Sequence, residues 1–306
     1  MNGTHPFFGR LCRFLVDRLS GAVLVALFAL ALSSLALCGE TGEATGIDDL
    51  EKIRALIKEN PGLVFGRAAN GNTPLLYAAS DGNRGVVALL LANKAEVDAR
   101  NDNGQTALHA AAGKGNREVV ELLVAGKGGV DVRDRWGSTP LMYAARSGNK
   151  EVAALLLACK AEVNASDNTG QTALHYAALG GHKEVAALLL GKGAEANPRD
   201  QNGHTPLHVA ANMGVAESLL ARGAEVDGRT DEGGTPLHYA AAKGCKDVVE
   251  LLLSRGAEVN ARTNGSTPFL APGLITNRGL TPAFAASLHS HKDVVKVLQK
   301  HGGHFP

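Results

Sequence analysis

The 306-residue sequence predicts an all-α fold, a stack of short helix-turn-helix units joined by turns. Three observations predict it. A tetrapeptide opening on Thr recurs at a near-constant spacing of 33 residues, the length of one paired-helix unit. Most copies put Pro directly after that Thr, in the first helical position, where no N–H is needed, and the Thr hydroxyl can accept from a free backbone N–H. Glycine makes up 37 of the 306 residues against a usual ~7%, and aromatics only 4%, as expected of small-residue helices interrupted by many turns. The length, about twice that of an ordinary domain, also favours a divided or repetitive chain.

The N-terminal 20 residues carry Arg10, Arg13 and Arg18 against a single acid, Asp17, and lead into a charge-free apolar stretch from Gly21 to Cys38. Its densest part, Gly21 to Leu32, spans 12 residues, within the ~7 to 15 of a secretory apolar region, and Ser33-Ser34 begins a small-residue tail. Residues 1–38 are expected to be a signal peptide cleaved after Ala36, or a signal anchor, since 18 apolar residues approach the ~20 that span a bilayer. Leu35-Ala36-Leu37-Cys38 also resembles a bacterial lipoprotein signal, with Leu37 where a small residue is normal. With the Arg side kept in the cytoplasm, all three readings export the remainder, to a periplasm or beyond, or outside an inner membrane that holds residues 21–38. Residues 39–69 follow as a linker and capping helix around Asp48 to Asn60, and 70–306 as the repeat domain.

The repeats run in order. Thr73-Pro74-Leu75-Leu76 returns as Thr106-Ala107-Leu108-His109, Thr139-Pro140-Leu141-Met142, Thr172-Ala173-Leu174-His175, Thr205-Pro206-Leu207-His208 and Thr235-Pro236-Leu237-His238, at spacings of 33, 33, 33, 33 and 30. Thr281-Pro282-Ala283-Phe284 lies 46 residues further on, one period plus an insertion of 13. After each start comes an Ala-rich helix, a break such as Gly148, Gly181 or Gly244, and a second helix such as Val248 to Leu253. A turn containing Gly104, Gly137, Gly170 or Gly203 opens the next unit.

These units resemble the ankyrin repeat in length and in their Thr-Pro-Leu-His signature, over about residues 70–301 and roughly seven copies. The resemblance implies a solenoid whose short helices bury their apolar faces only against neighbouring layers. It also implies a non-catalytic scaffold that binds a protein partner through its finger tips and concave inner-helix face, and together with residues 1–38 the expectation is an exported protein of bacterial type.

Three departures bear on shape. Lys94, Lys127 and Lys160 stand where Gly193, Gly223 and Gly256 follow the second helix, at a position expected to be left-handed, at a cost of about 1 kcal/mol each. The fifth copy is three residues short between Met213 and Arg222, and a bend or weak layer is expected there. Residues 261–280 contain two turn-like starts and read as an enlarged finger or a decayed repeat, with an apolar run from Pro268 to Ile275.

Function classes narrow by chemistry. Lys plus Arg number 31 against 30 Asp plus Glu, which leaves no basic field for non-specific nucleic-acid binding. The four Cys form no C-x-x-C pair, and Cys159 and Cys245, three layers apart, lie beyond the ~7 Å that a disulfide allows. His109, His175, His208 and His238 recur one layer apart, ~8 to 10 Å, too far to share a zinc whose ligands sit at ~2.0 to 2.1 Å, and the resemblance gives this His the task of tying a helix start to a neighbouring turn. Gly126-Lys127-Gly128-Gly129 follows a helix rather than opening one, the wrong dipole end for phosphate. No catalytic set, metal or cofactor is expected.

A row of Arg six residues before the Thr, at 67, 100, 133, 199 and 229 with Arg262, could meet acidic protein segments or simply pair with nearby Asp134 and Asp200. Trp136, the only tryptophan, sits at a finger tip between Arg133 and Arg135, with Arg146 just after the inner helix, residue types enriched in binding hot spots. By the resemblance, Arg100, Asp102, Asn103, Lys114, Asn168, Thr169, Gln201, Asn202, His204, Asn212 and Met213 extend this surface. The partner is a protein of unknown identity and the chain is expected to be a monomer. Two alternatives stay open: a membrane-anchored adaptor, and an enzyme or small-molecule receptor with its site in the inserted finger.

Overall fold

Each Thr-led start folds as its chemistry requires. In the computed structural model, which describes residues 47–265 and 279–305, the Thr lies in extended backbone and caps a short helix: Thr73 Oγ1 accepts from the N–H of Leu76 at 3.3 Å, and Thr281 Oγ1 from that of Phe284 at 3.4 Å. The N-terminal stretch 1–38 and the apolar run 268–275 lie outside the described residues, as does most of the expected insertion.

The first helices of the seven pairs are α2 (Pro74–Ser80), α4 (Ala107–Lys114), α6 (Pro140–Arg146), α8 (Ala173–Leu179), α10 (Pro206–Val209), α12 (Pro236–Lys243) and α14 (Pro282–Leu288). Their partners are α3 (Arg84–Ala92), α5 (Arg117–Ala125), α7 (Lys150–Ala158), α9 (Lys183–Gly191), α11 (Met213–Leu220), α13 (Lys246–Ser254) and α15 (Lys292–Lys300). Before them stand α1 (Ile47–Glu59) and a 3-10 turn over Pro61–Phe65. Among the described residues there is no strand, only a single bridge between Ser166 and Thr172 in one finger.

The chain divides into two compact units at Arg135 and Trp136. In the first, α1 packs on α3 with Ile53 and Ile57 buried, the 3-10 turn packs on α2, and α2/α3 stack on α4/α5. In the second, α6, α8, α10, α12 and α14 pack in chain order as one layer, and α7, α9, α11, α13 and α15 as the other. The second helices α3 to α13 each bury a Val, the next Val or Ala, and a Leu three further on, such as Val119, Val120 and Leu123 in α5 and Val215, Ala216 and Leu219 in α11, whereas α15 buries only Val294 and Leu298. Most first helices bury a Leu and paired Ala, as with Leu174, Ala177 and Ala178 in α8; α10 keeps only the Leu, and α14 has Ala283 in its place. A fully buried Leu contributes ~1.5 to 3 kcal/mol, so each layer draws its stability from its neighbours.

The expected departures take definite forms. Lys94, Lys127 and Lys160 have φ of 63°, 65° and 67°, the left-handed conformation that Gly193, Gly223 and Gly256 adopt without strain. The three residues missing from the fifth copy are lost elsewhere than the sequence predicts. The second helix α11 is nearly complete at 8 residues, whereas the first helix α10 has only 4, against 7 or 8 in the other layers. Helix α10 starts normally at Thr205 but turns extended at Ala210, and Asn212 caps α11 at once. The core Leu207 and His208 lie in the first turn, so truncation removes only the solvent end.

The two ends of the insertion close on each other. Thr263 N–H donates to the carbonyl of Leu280 at 3.1 Å, and Leu280 N–H to Thr263 Oγ1 at 2.9 Å, with Leu280 buried against Tyr239. In the seventh layer Phe284 takes the place of the signature His and meets Phe305 edge-on at 6.3 Å, while Thr281 Oγ1 donates to the His304 carbonyl.

Candidate interaction surface

Several finger tips are turns held by one buried or half-buried Asx, and Thr230 takes that place in a later finger, its Oγ1 accepting from Gly234 N–H at 3.1 Å. Asp167 Oδ1 accepts from Thr169 N–H, Thr169 Oγ1 and Gln171 N–H at 2.7 to 3.0 Å, and its Oδ2 accepts from Tyr176 Oη at 2.6 Å. Asn101 and Asp200 repeat the pattern on the residues two and four further on. Burial opposes ionisation of Asp200, but the N–H groups of His204 and Asn202 outweigh it and hold the carboxyl below its ordinary pKa. Burial first, and then the bond to Asp167, push the Tyr176 phenol up to about 12. In the first unit, adjacent tips are joined by one backbone bond each, Asp102 N–H to Asn70 and Arg135 N–H to Asn103. The same link runs through the second unit from Asn168 to Trp136, Gln201 to Thr169, Asp231 to Asn202 and Asn264 to Glu232.

The signature histidines are ties between layers. Nδ1 of His175 accepts from Thr172 N–H at 3.1 Å, which leaves the proton on Nε2, 3.0 Å from the His204 carbonyl of the next finger. His208 reaches the carbonyls of Gly228 and Gly234 in the same way, and His238 that of Leu280. Burial lowers the pKa of His175, and those of His208 and His238 to about 4, so these rings are neutral. Where Met142 replaces His, its sulfur takes the Thr139 N–H at 3.4 Å. Among the described residues no group of three His, Cys, Asp or Glu is placed to hold a metal ion, and Cys159 and Cys245 are free thiols.

The arginine row is bonded chiefly across layers. Arg67 donates to the carbonyl of Arg100, Arg100 to that of Arg133, Arg199 to that of Arg229 and Arg229 to that of Arg262, at 2.6 to 2.8 Å. These four guanidinium groups tie their fingers to the next, and two also form ion pairs across layers, Arg199 with Asp231 and Arg229 with Glu258. Arg100 therefore has a structural duty at an exposed edge, and Arg133 supplies the carbonyl that it meets.

The other expected residues fall into the two units. In the first, Asp102, Asn103 and Arg135 are exposed at the tips, and Lys114 is exposed at the end of α4, close enough to Asp81 to oppose its burial-raised pKa. In the second, Asn168, Thr169, Gln201 and Asn202 form the tip row, with Gln201 Nε2 bonded to the Asn168 carbonyl. Trp136 is 51% exposed. One assignment is corrected: His204 is only 4% exposed, its Nδ1 3.2 Å from Asp200 Oδ1 and its Nε2 3.0 Å from Tyr239 Oη, so it lies inside the finger rather than on its surface. Asn212 acts mainly as a cap and bridge, accepting from Val215 N–H and donating to the Gly181 carbonyl.

A row unanticipated in part by the sequence runs along the ends of the first helices of the second unit. Arg146, the last residue of α6, lies over the Tyr176 ring at 5.8 Å, and its carbonyl accepts from His182 Nε2. Leu179, the last residue of α8, is 51% exposed, and the loop leading into Met213, the 42% exposed first residue of α11, is bonded beside it through Ala211 N–H to Ala178. Lys243 reaches across from α12 to the Val209 carbonyl at the end of the shortened α10. Leu179 and Lys243 share the register of Arg146 to within one residue, seven or eight after the Thr, and that spacing is the signal that would have found them.

Models for ankyrin repeats match residues 43–135, 125–200 and 192–263, and a further model for many-copy ankyrin repeats matches 237–299. The chain belongs to the ankyrin-repeat family. Ankyrin repeats are generally protein–protein interaction modules, and the all-α paired layers described above are those of an ankyrin solenoid. No curated protein matches the chain.

Proposed function

We propose that this ankyrin-repeat protein is a non-catalytic scaffold that binds a protein partner along the finger tips and first-helix ends. The observation that carries this reading is the division of labour among side chains. Buried His, Asn and Asp are consumed in holding layers and turns together, whereas Trp136, Leu179 and Met213, large and apolar, stand exposed on the same unit that carries Arg146. Exposed aromatic and apolar groups next to Arg are the composition of binding hot spots. A photo-crosslinking residue placed at Leu179 should trap a protein adduct that one at Ala158, on the exposed side of α7, does not. Adducts from neither position, or equally from both, would remove the proposed surface.

Export completes the proposal. It is supported by the Arg-rich start and the apolar stretch 21–38, which suit a cleaved signal in a bacterial-type exported protein. The 18-residue length of that stretch favours, as second reading, an adaptor anchored in the inner membrane with its repeats outside the cytoplasm. Mass spectrometry of the mature N-terminus separates them: a start near residues 37–39 indicates cleavage, and Met1 retained in the membrane fraction indicates the anchor.

A further inference from the structure

We infer that the first-helix ends of the second unit take an extended protein segment whose apolar centre is flanked by carboxylates. This deepens the scaffold reading and rests on it.

Charge is the deciding observation. From each capping Thr to the residue before the second helix, over 139–149, 172–182, 205–212, 235–245 and 281–291, the chain contains no Asp or Glu. The paired helices α7, α9, α11, α13 and α15 each contain at least one. The absence of acid is therefore a property of one layer and its turns. Two cations stand on that layer, Arg146 at one side and Lys243 at the other, and neither is within ion-pair distance of a carboxylate among the described residues. Arg146 is held extended by the Tyr176 ring, and Lys243 by the Val209 carbonyl. Both are directed by neutral neighbours, although Tyr176 Oη itself donates to the Asp167 carboxylate. Burial also lowers the pKa of Lys243, an ammonium that a carboxylate would restore to its ordinary range.

Between the cations lie Leu179 and Met213, bare on the same row. The shortened α10 shapes this stretch. Its missing turn brings the 210–212 loop against α8, through Ala211 N–H to Ala178 and Asn212 Nδ2 to Gly181. Arg146 and Lys243 belong to layers three steps apart, roughly 25 to 30 Å at packed-helix spacing. An extended segment rises ~3.3 Å per residue, so about eight or nine residues reach from one cation to the other.

The test uses the full chain and three fluorescein-labelled nonapeptides sharing a Leu-Phe-Ala-Leu-Ile centre, ended on both sides by paired Glu, paired Gln or paired Lys. The Glu peptide should bind at least tenfold more tightly than the Gln peptide by anisotropy, and added salt should erase that margin. Arg146→Glu with Lys243→Glu should transfer the preference to the Lys peptide, with an unchanged melting curve as the check on folding. The control reversal Lys192→Glu with Arg255→Glu, at the ends of α9 and α13, should leave it alone. Equal binding of the Glu and Gln peptides, or a preference indifferent to reversal of Arg146 and Lys243, overturns the inference. So does capture of phosphatidylserine vesicles with no peptide bound, which would make the acidic occupant a lipid. If no peptide binds, this inference fails, while a partner adduct at Leu179 would leave the scaffold reading standing.

Discussion

A left-handed lysine is the most legible local cost in this chain. At Lys94, Lys127 and Lys160 the backbone adopts a conformation that crowds Cβ, and the equivalent Gly193, Gly223 and Gly256 have nothing within 4 Å of where a Cβ would stand. Strain rather than contact decides the outcome, and each Lys→Gly change should raise stability by about 1 kcal/mol, measured by urea unfolding. Histidine carries the opposite sensitivity. His208 and His238 have pKa values lowered to about 4, mainly by burial, against an ordinary ~6.5. Between those values the unfolded chain binds protons that the folded one refuses. The stability is therefore present above about pH 6.5 and is lost as pH falls toward 4, by an amount on the order of 3 kcal/mol per ring. Melting temperatures across pH 7 to 4 should fall, and a His208→Met variant, which can still accept from Thr205 as Met142 does from Thr139, should flatten part of the slope.

Among elements, the shortened α10 shows how a solenoid tolerates loss. Deletion from the solvent end of a first helix spares Leu207 and His208, whereas the same loss from α11 would expose Val215, Ala216 or Leu219. The position of the gap was not legible because Ala210, Ala211 and Asn212 can continue one helix or begin the next, and only packing against α8 selects between them. Asn212 secures the result with two bonds, one to its own helix and one to the layer before. Its replacement by Ala should cost about 1 to 2 kcal/mol, read by thermal melting. Asn116, His182 and His291 make the same backward bridge in their layers. Cys245 stands at that position opposite the shortened α10.

On the scale of each unit, layers communicate only with their neighbours, so local damage should spread along the stack. Leu219→Ala, at a side chain with no exposure in the middle layer of the second unit, should cost about 2 to 5 kcal/mol. Hydrogen exchange should then rise across α8 to α13 before it rises in α15. A single closed core would instead lose protection everywhere at once.

The sequence by itself determined the all-α repeat, the helix starts, the left-handed turns and the family, because each depends on a residue and its near neighbours at a fixed period. Thr before Pro, Gly at a turn and Val-Val beside Leu act locally. Only the tertiary structure decided what the polar residues do, because a bond spanning one repeat has no local signature. It placed the Arg row on carbonyls 30 to 33 residues away, drew His204 inside its finger, and left Arg146, Leu179, Met213 and Lys243 along one exposed row.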